Sequence, residues 1–182
     1  MISTWPLTQF WLPQQEGGFR PGTAAFSWSA GKLHLLASLV DERVSTTATA
    51  HQQRLWEHGD VIELFFRRQG DNDYFEYQIA PNGFTLALHY PDTLSVMAMR
   101  GGERPLDDFF TALPLEAEAV ITEEGWNAKL TVPLKGNPGD IIYASCSRYD
   151  DGTGRPPVLS STSPHPVRDF HRMEDWRKMI LG

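Results

Sequence analysis

Carboxylates on two neighbouring β segments are the residues whose types and spacing could do chemistry. Glu63 lies in VIELFF and Glu76 lies in YFEYQI. Glycosidases use two carboxylates that flank the scissile bond. Asp60 and Glu63 are three residues apart and point to opposite faces of a strand, whereas Glu63 and Glu76 can share a face. Carboxylates are also common on solvated sheet surfaces, so the pattern predicts a protein without catalytic residues.

Metal-ligating residue types are present, but their spacing supports few sites. The six histidines lack the three or four converging groups that zinc needs, and Cys146 is the only cysteine. Calcium prefers several oxygen ligands, which Asp41, Asp71 and Asp73 could supply. Asp71 to Asp73 is also ordinary turn sequence. No cofactor is certain, and calcium stays open.

Length and charge limit the classes of protein to consider. The chain has 182 residues, 41% of them hydrophobic, which suits one domain with one sizeable core. A net charge of −7 disfavours nucleic acid as a partner. The sequence has no run long and apolar enough for a membrane span and no secretory signal pattern, so a soluble, cytoplasmic protein is expected.

A β-hairpin must position the two glutamates. Residues 60–67 and 74–80 are rich in β-branched and aromatic residues, and a polar loop joins them. Matching their apolar faces places Glu63 across from Gln78 or Glu76. The other face of this hairpin is predicted to be a polar and aromatic sheet surface.

Further alternating segments predict an antiparallel all-β sandwich in a single domain. Residues 1–22 are predicted to form an arm that packs on the sandwich, which takes up residues 23–182. Residues 91–113 are predicted to be irregular, and Trp126 and Cys146 are predicted to be core residues. The predicted strands occupy residues 23–30, 32–41, 60–67, 74–80, 84–90, 115–122, 126–134, 141–149 and 176–181.

Several of these positions together resemble the family 9 carbohydrate-binding modules and related DOMON-like domains. The resemblance runs from about Phe26 to Leu181. It implies a jelly-roll sandwich that binds sugar at the reducing end of plant polysaccharides and holds structural calcium. The positions that carry it are Trp56, Asp60, Glu63, residues 74–77, residues 81–83, Trp126, residues 132–134, Arg148 and residues 169–171.

By position, Trp56 resembles one of two tryptophans that sandwich a sugar ring in that family. An aromatic face suits the C–H side of a pyranose, and Glu63, Gln78 and Arg148 are the implied contacts for its hydroxyls. The family's second tryptophan is absent from the segment SSTSPHPVRDFH. His165 or His171 could line the same mouth.

Two alternatives to a sugar-binding domain stay open. Loss of the second tryptophan favours a structural or protein-interaction sandwich that no longer binds sugar. Some DOMON relatives hold haem between methionine and histidine, which would involve Met97 or Met99 with His89 or His171. The sequence does not settle the oligomeric state.

Overall fold

The chain folds into strands joined mainly by turns and loops. The computed structural model describes residues 2–151 and 156–182. Short 3-10 turns lie at Leu55–Glu57, Leu106–Phe109 and Met173–Asp175. The strands and the helix are β1 (Ile2–Leu7), β2 (Gly22–Ser29), β3 (Lys32–Val40), β4 (Val61–Arg68), β5 (Tyr74–Ile79), β6 (Thr85–Tyr90), α1 (Thr93–Arg100), β7 (Glu116–Ile121), β8 (Gly125–Pro133), β9 (Ile141–Asp150), β10 (Val158–Ser161) and β11 (Arg177–Ile180).

Two antiparallel sheets pack face to face as a single-domain sandwich, which confirms the predicted fold class. The first sheet has the order β1-β2-β3-β8-β7, and the second has the order β10-β9-β4-β5-β6. Strands β10 and β11 both pair with the same edge of β9, β10 with its C-terminal half and β11 with its N-terminal half. Every strand pair is antiparallel among the described residues.

The main core lies between the sheets, where alternate side chains of facing strands meet. Leu64 and Phe66 of β4 pack there with Trp126 of β8. Cys146 of β9 is fully buried in the same core. The predicted core positions of Trp126 and Cys146 are therefore confirmed.

The opposite face of the second sheet carries a second core instead of the predicted polar surface. Val61 and Phe65 of β4 are buried there with Tyr74 of β5. Phe170 and Trp176, from the tail that precedes β11, cover them. This cover takes Glu63 and Glu76 out of solvent, leaving each 3% exposed.

Strand β6 contributes apolar side chains to this covered face. Leu86, Leu88 and Tyr90 lie on the Glu63 face, within the second core. His89 lies on the other face and stacks on Phe75 at 4.5 Å between ring centroids. The strand is apolar on the covered face because both faces of this sheet are packed, which alternation alone cannot reveal.

Three elements were not expected from the sequence. The predicted N-terminal arm contributes edge strand β1, which pairs with β2. The supposedly irregular residues 91–113 contain helix α1, whose first turn is capped by Asp92 accepting the Ser95 N–H at 2.8 Å. Strand β10 pairs with β9. In the described part of the chain, no helix is long and apolar enough to cross a membrane.

Candidate functional site

A cavity of about 270 Å3 opens on the covered face of the second sheet. Its floor comes from the strands, and its walls come from the loop before β4, the end of α1 and the tail before β11. Its lining residues are Arg54, Trp56, Glu63, Glu76, Tyr90, Met99, Arg100, Tyr149, Leu159, Arg168, Phe170 and His171.

Gln78 joins the two glutamates of the floor. The β4–β5 register sets Glu63 of β4 directly opposite Gln78 of β5. Glu76 lies two residues before Gln78 on β5, so both side chains point to the same face of the sheet. The Gln78 Nε2 donates to Glu63 Oε1 at 2.8 Å and to Glu76 Oε1 at 2.5 Å. One amide therefore holds both carboxyl groups side by side.

Burial makes both carboxyl groups of the floor reluctant to ionise. Desolvation raises the pKa of Glu63 well above its ordinary value, and the neighbouring Glu76 raises it further. Desolvation also raises the pKa of Glu76, although the hydrogen bond from Gln78 opposes this. The neutral form of a carboxyl group can donate a hydrogen bond as well as accept one.

His171 completes the floor in its neutral form. Its Nδ1 and the Tyr74 hydroxyl are hydrogen-bonded at 2.7 Å, and its Nε2 faces Glu76 Oε2 at 3.7 Å. Desolvation lowers the pKa of His171 to about 3, and the charge of Arg100 lowers it further. The imidazole is therefore uncharged at neutral pH and acts as a polar neighbour of Glu76.

Three arginines and an aromatic side chain form the upper part of the cavity. Arg54 precedes the 3-10 turn that carries Trp56, Arg100 ends α1, and Arg168 lies in the tail. Trp56 is half-buried and packs against the second core. The cavity thus combines a buried floor of carboxyl and imidazole groups with a cationic rim.

Four of the five predicted ligand contacts meet at this cavity. Trp56, Glu63 and His171 line it, and Gln78 supports its floor. Arg148 lies on the opposite face of the sheet, with Cys146. Two residues of one strand share a face when they are an even number apart, so Arg148 cannot join Tyr149 at the cavity. His165 is buried and pairs with Asp175 at 3.4 Å, outside the cavity lining.

The predicted calcium ligands are not close together. Asp71 and Asp73 lie in the turn at one end of β4, where Asp73 pairs with His89 at 2.7 Å. Asp41 lies at the other end of β4, near Asp60. Those three predicted ligands therefore cannot share an ion.

Asp41, Asp60 and Asp150 instead form a buried acid cluster, with carboxylate oxygens within 4.8 Å of one another. Arg148 Nη2 lies 3.1 Å from Asp41 Oδ2 and 3.1 Å from Asp150 Oδ2. Desolvation raises the pKa of Asp60 to about 7. The three carboxyl groups outnumber the guanidinium groups that lie beside them. Oxygen ligands of this kind suit a calcium ion chemically, and these three carboxylates would hold it.

Of the methionine and histidine residues considered for haem, only Met99 and His171 meet at the cavity. Met99 and His171 line the cavity, but Met97 is exposed and His89 lies on the opposite face of the sheet. Nδ1 of His171 is hydrogen-bonded to Tyr74 at 2.7 Å, and Nε2 lies 3.7 Å from Glu76 Oε2.

A larger groove on the first sheet lacks the polar groups of this cavity. A groove of about 900 Å3 crosses the first sheet near Gly22, Leu39 and Asn127. None of its described lining residues is a buried polar side chain. Ligand sites usually combine apolar walls with a few convergent polar groups, which describes the smaller cavity.

Sequence reasoning did not identify the arginine rim. Arg100 belongs to residues 91–113, which the sequence predicts to be irregular, although Asp92 is a good N-cap and Gly101 follows the helix. Arg54 and Arg168 lie in loops, where no periodic pattern signals direction. Only the folded chain brings these three residues together.

Solved structures of similar fold include carbohydrate-binding proteins. A candidate carbohydrate-binding protein from Bacteroides uniformis superposes with a TM-score of 0.75 and 13% identity, covering 100% of this chain and 87% of its own. A family 9 carbohydrate-binding module from Caldicellulosiruptor kristjanssonii, in complex with cellotriose, superposes with a TM-score of 0.68 and 12% identity; the match covers 97% of this chain and 81% of the module. A family 9 module from the same organism, in complex with glucose, superposes with a TM-score of 0.66 and 13% identity; the match covers 92% of this chain and 79% of the module.

These likenesses establish that the chain has the fold of the family 9 carbohydrate-binding modules. At 12–13% identity they establish the fold alone. No family model matches the sequence. No curated protein matches it either. The function must therefore be argued from the cavity.

Proposed function

We propose that the protein is a non-catalytic domain that binds a carbohydrate in the cavity above Glu63 and Glu76. The observation that carries this proposal is the pair of buried carboxyl groups at the floor of an open cavity. Buried carboxyl groups are costly to maintain in a fold unless they are satisfied. Sugar hydroxyls would satisfy them as donors and acceptors.

The walls and size of the cavity agree with a sugar ring. Trp56, Tyr90 and Phe170 offer apolar surfaces, which suit the C–H side of a pyranose. A volume of about 270 Å3 lies near the small end of ordinary ligand sites and favours one ring over a long chain. The solved complexes of the same fold with cellotriose and glucose add support.

The arrangement of the glutamates favours binding over hydrolysis. A glycosidase places its two carboxylates on either side of the scissile bond. Here the Gln78 amide lies between Glu63 and Glu76, which occupy one floor. A scissile bond cannot enter between them while that amide is in place.

Replacing Trp56 with alanine should weaken sugar binding by roughly tenfold, because one apolar wall of the cavity is removed. Isothermal titration calorimetry with monosaccharides and short oligosaccharides measures this effect. Phe110→Ala is the control, since Phe110 is a partly exposed aromatic outside the cavity lining. Its affinity should equal that of the unmodified protein.

Three outcomes would contradict the proposal or a part of it. Absence of binding to every sugar at millimolar concentration would favour the structural or protein-interaction alternative. Equal losses in Trp56→Ala and Phe110→Ala would place the binding site elsewhere. Release of reducing sugar from an oligosaccharide would contradict the non-catalytic part of the proposal.

A further inference from the structure

The charge at the rim of the cavity differs in sign from the chain as a whole. The protein carries a net charge of −7, yet three arginines line one small cavity. Glu63 and Glu76 are the acidic residues of that lining, and both lie at its buried floor. The rim should therefore attract a negatively charged group.

The arginines of the rim remain available to a ligand. Arg54 pairs with Glu57 at 3.3 Å, and Arg100 pairs with Asp169 at 3.1 Å, in both cases at the surface. Exposed pairs of this kind contribute little, so a ligand can compete for either guanidinium. Arg168 has no ion-pair partner within 4.0 Å among residues 2–151 and 156–182.

The floor is less suited to an anion than the rim. Glu63 and Glu76 repel an anion when ionised, and when neutral each offers one O–H donor but no positive charge. Guanidinium groups, by contrast, bind carboxylates through two parallel hydrogen bonds. The polar and the anionic parts of a ligand would thus bind at different depths.

Resting on the proposed function, we propose that the ligand is an acidic saccharide, in which a uronic acid carboxylate binds the rim arginines while ring hydroxyls bind the Glu63 and Glu76 floor. The juxtaposition of rim and floor around one ring-sized cavity carries this assignment. A neutral sugar has a hydroxymethyl group in place of the carboxylate. Such a ligand would leave the guanidinium of Arg168 without a charged partner.

Calorimetry with matched sugars tests the assignment. D-glucuronate, D-galacturonate and D-mannuronate are each compared with their methyl ester and with the corresponding neutral sugar, at low salt. The ester keeps the shape and removes the charge. At least one uronate should bind roughly tenfold more tightly than its ester, and added salt should reduce the difference.

Variants locate the charge that is responsible. Arg168→Gln should bring the affinity for the uronate close to that for the ester, so that the preference for the charged form is lost. Lys178→Gln removes the same charge from an exposed position of strand β11, outside the cavity lining, and should change neither affinity. Arg168 is exposed, so its replacement should leave the fold intact.

The outcomes separate this inference from the proposed function. Equal binding of uronates, esters and neutral sugars would overturn the acidic ligand and leave carbohydrate binding standing. Binding of none would overturn both. Uronate affinity that is unchanged in both Arg168→Gln and Arg100→Gln would overturn the assignment of the carboxylate to the rim.

Discussion

Replacing Arg148 with methionine should lower the free energy of unfolding by about 3–5 kcal/mol, because removal of one partner leaves buried charge uncompensated. Its guanidinium bridges Asp41 and Asp150 and donates to the Arg20 carbonyl at 3.3 Å. Methionine fills similar space without charge. Urea denaturation at neutral pH measures the loss.

Arg168→Met is the matched control, since Arg168 is exposed and its replacement should change stability by less than about 0.5 kcal/mol. Asp41→Asn in the Arg148→Met background should recover part of the loss by removing one of the charges that repel each other. A loss of less than about 1 kcal/mol in Arg148→Met would show that the acid cluster does not depend on its guanidinium.

Raising the pH from 6.5 to 8.5 should lower the free energy of unfolding by about 2 kcal/mol. Glu63, Glu76 and Asp60 have pKa values raised by desolvation, so the folded state holds protons that the unfolded state has already released. The stabilisation that these protonated groups give the folded state is complete below their ordinary pKa and is lost as the pH rises through their folded-state pKa. His171, with its pKa lowered to about 3, opposes this only below its ordinary value of 6.5.

Glu63→Gln should flatten the pH dependence, because the amide cannot ionise and can still accept the hydrogen bond from Gln78. Exposed Glu123→Gln should leave the slope unchanged. Denaturation curves at several pH values between 6.5 and 8.5 provide the comparison. Constant or rising stability over this range would show that the floor carboxyl groups titrate normally in the folded protein.

Strand pairing could be predicted wherever one face of a segment is clearly apolar. The β4–β5 pairing follows from residues 61–68 and 74–79, and it sets Glu63 opposite Gln78 as one of the two predicted registers. The faces of β6 could not be predicted, because Leu86 and Leu88 fit a core on either side of the sheet. Which side they cover depends on the tail, far away in sequence.

The candidate site was only partly accessible from sequence for the same reason. Glu63, Gln78 and Trp56 belong to one continuous stretch, so local pattern brings them near one another. Arg148 shows why a residue's role cannot be taken from the family resemblance by position alone. Alternation from Cys146 places it on the inner face of the sheet, where it pairs with Asp41. The pairing of Asp41 with Asp150 depends on a contact between distant segments, and no local pattern reports it.

The tail links the cavity to the attachment of the last strand. Phe170 and His171 form part of the cavity wall, the Trp176 indole donates to the Phe170 carbonyl at 2.9 Å, and β11 follows at once. Detachment of β11 from β9 would therefore dismantle the wall. A ligand that binds in this cavity would therefore favour docking of this segment, and docking would favour the ligand by the same factor.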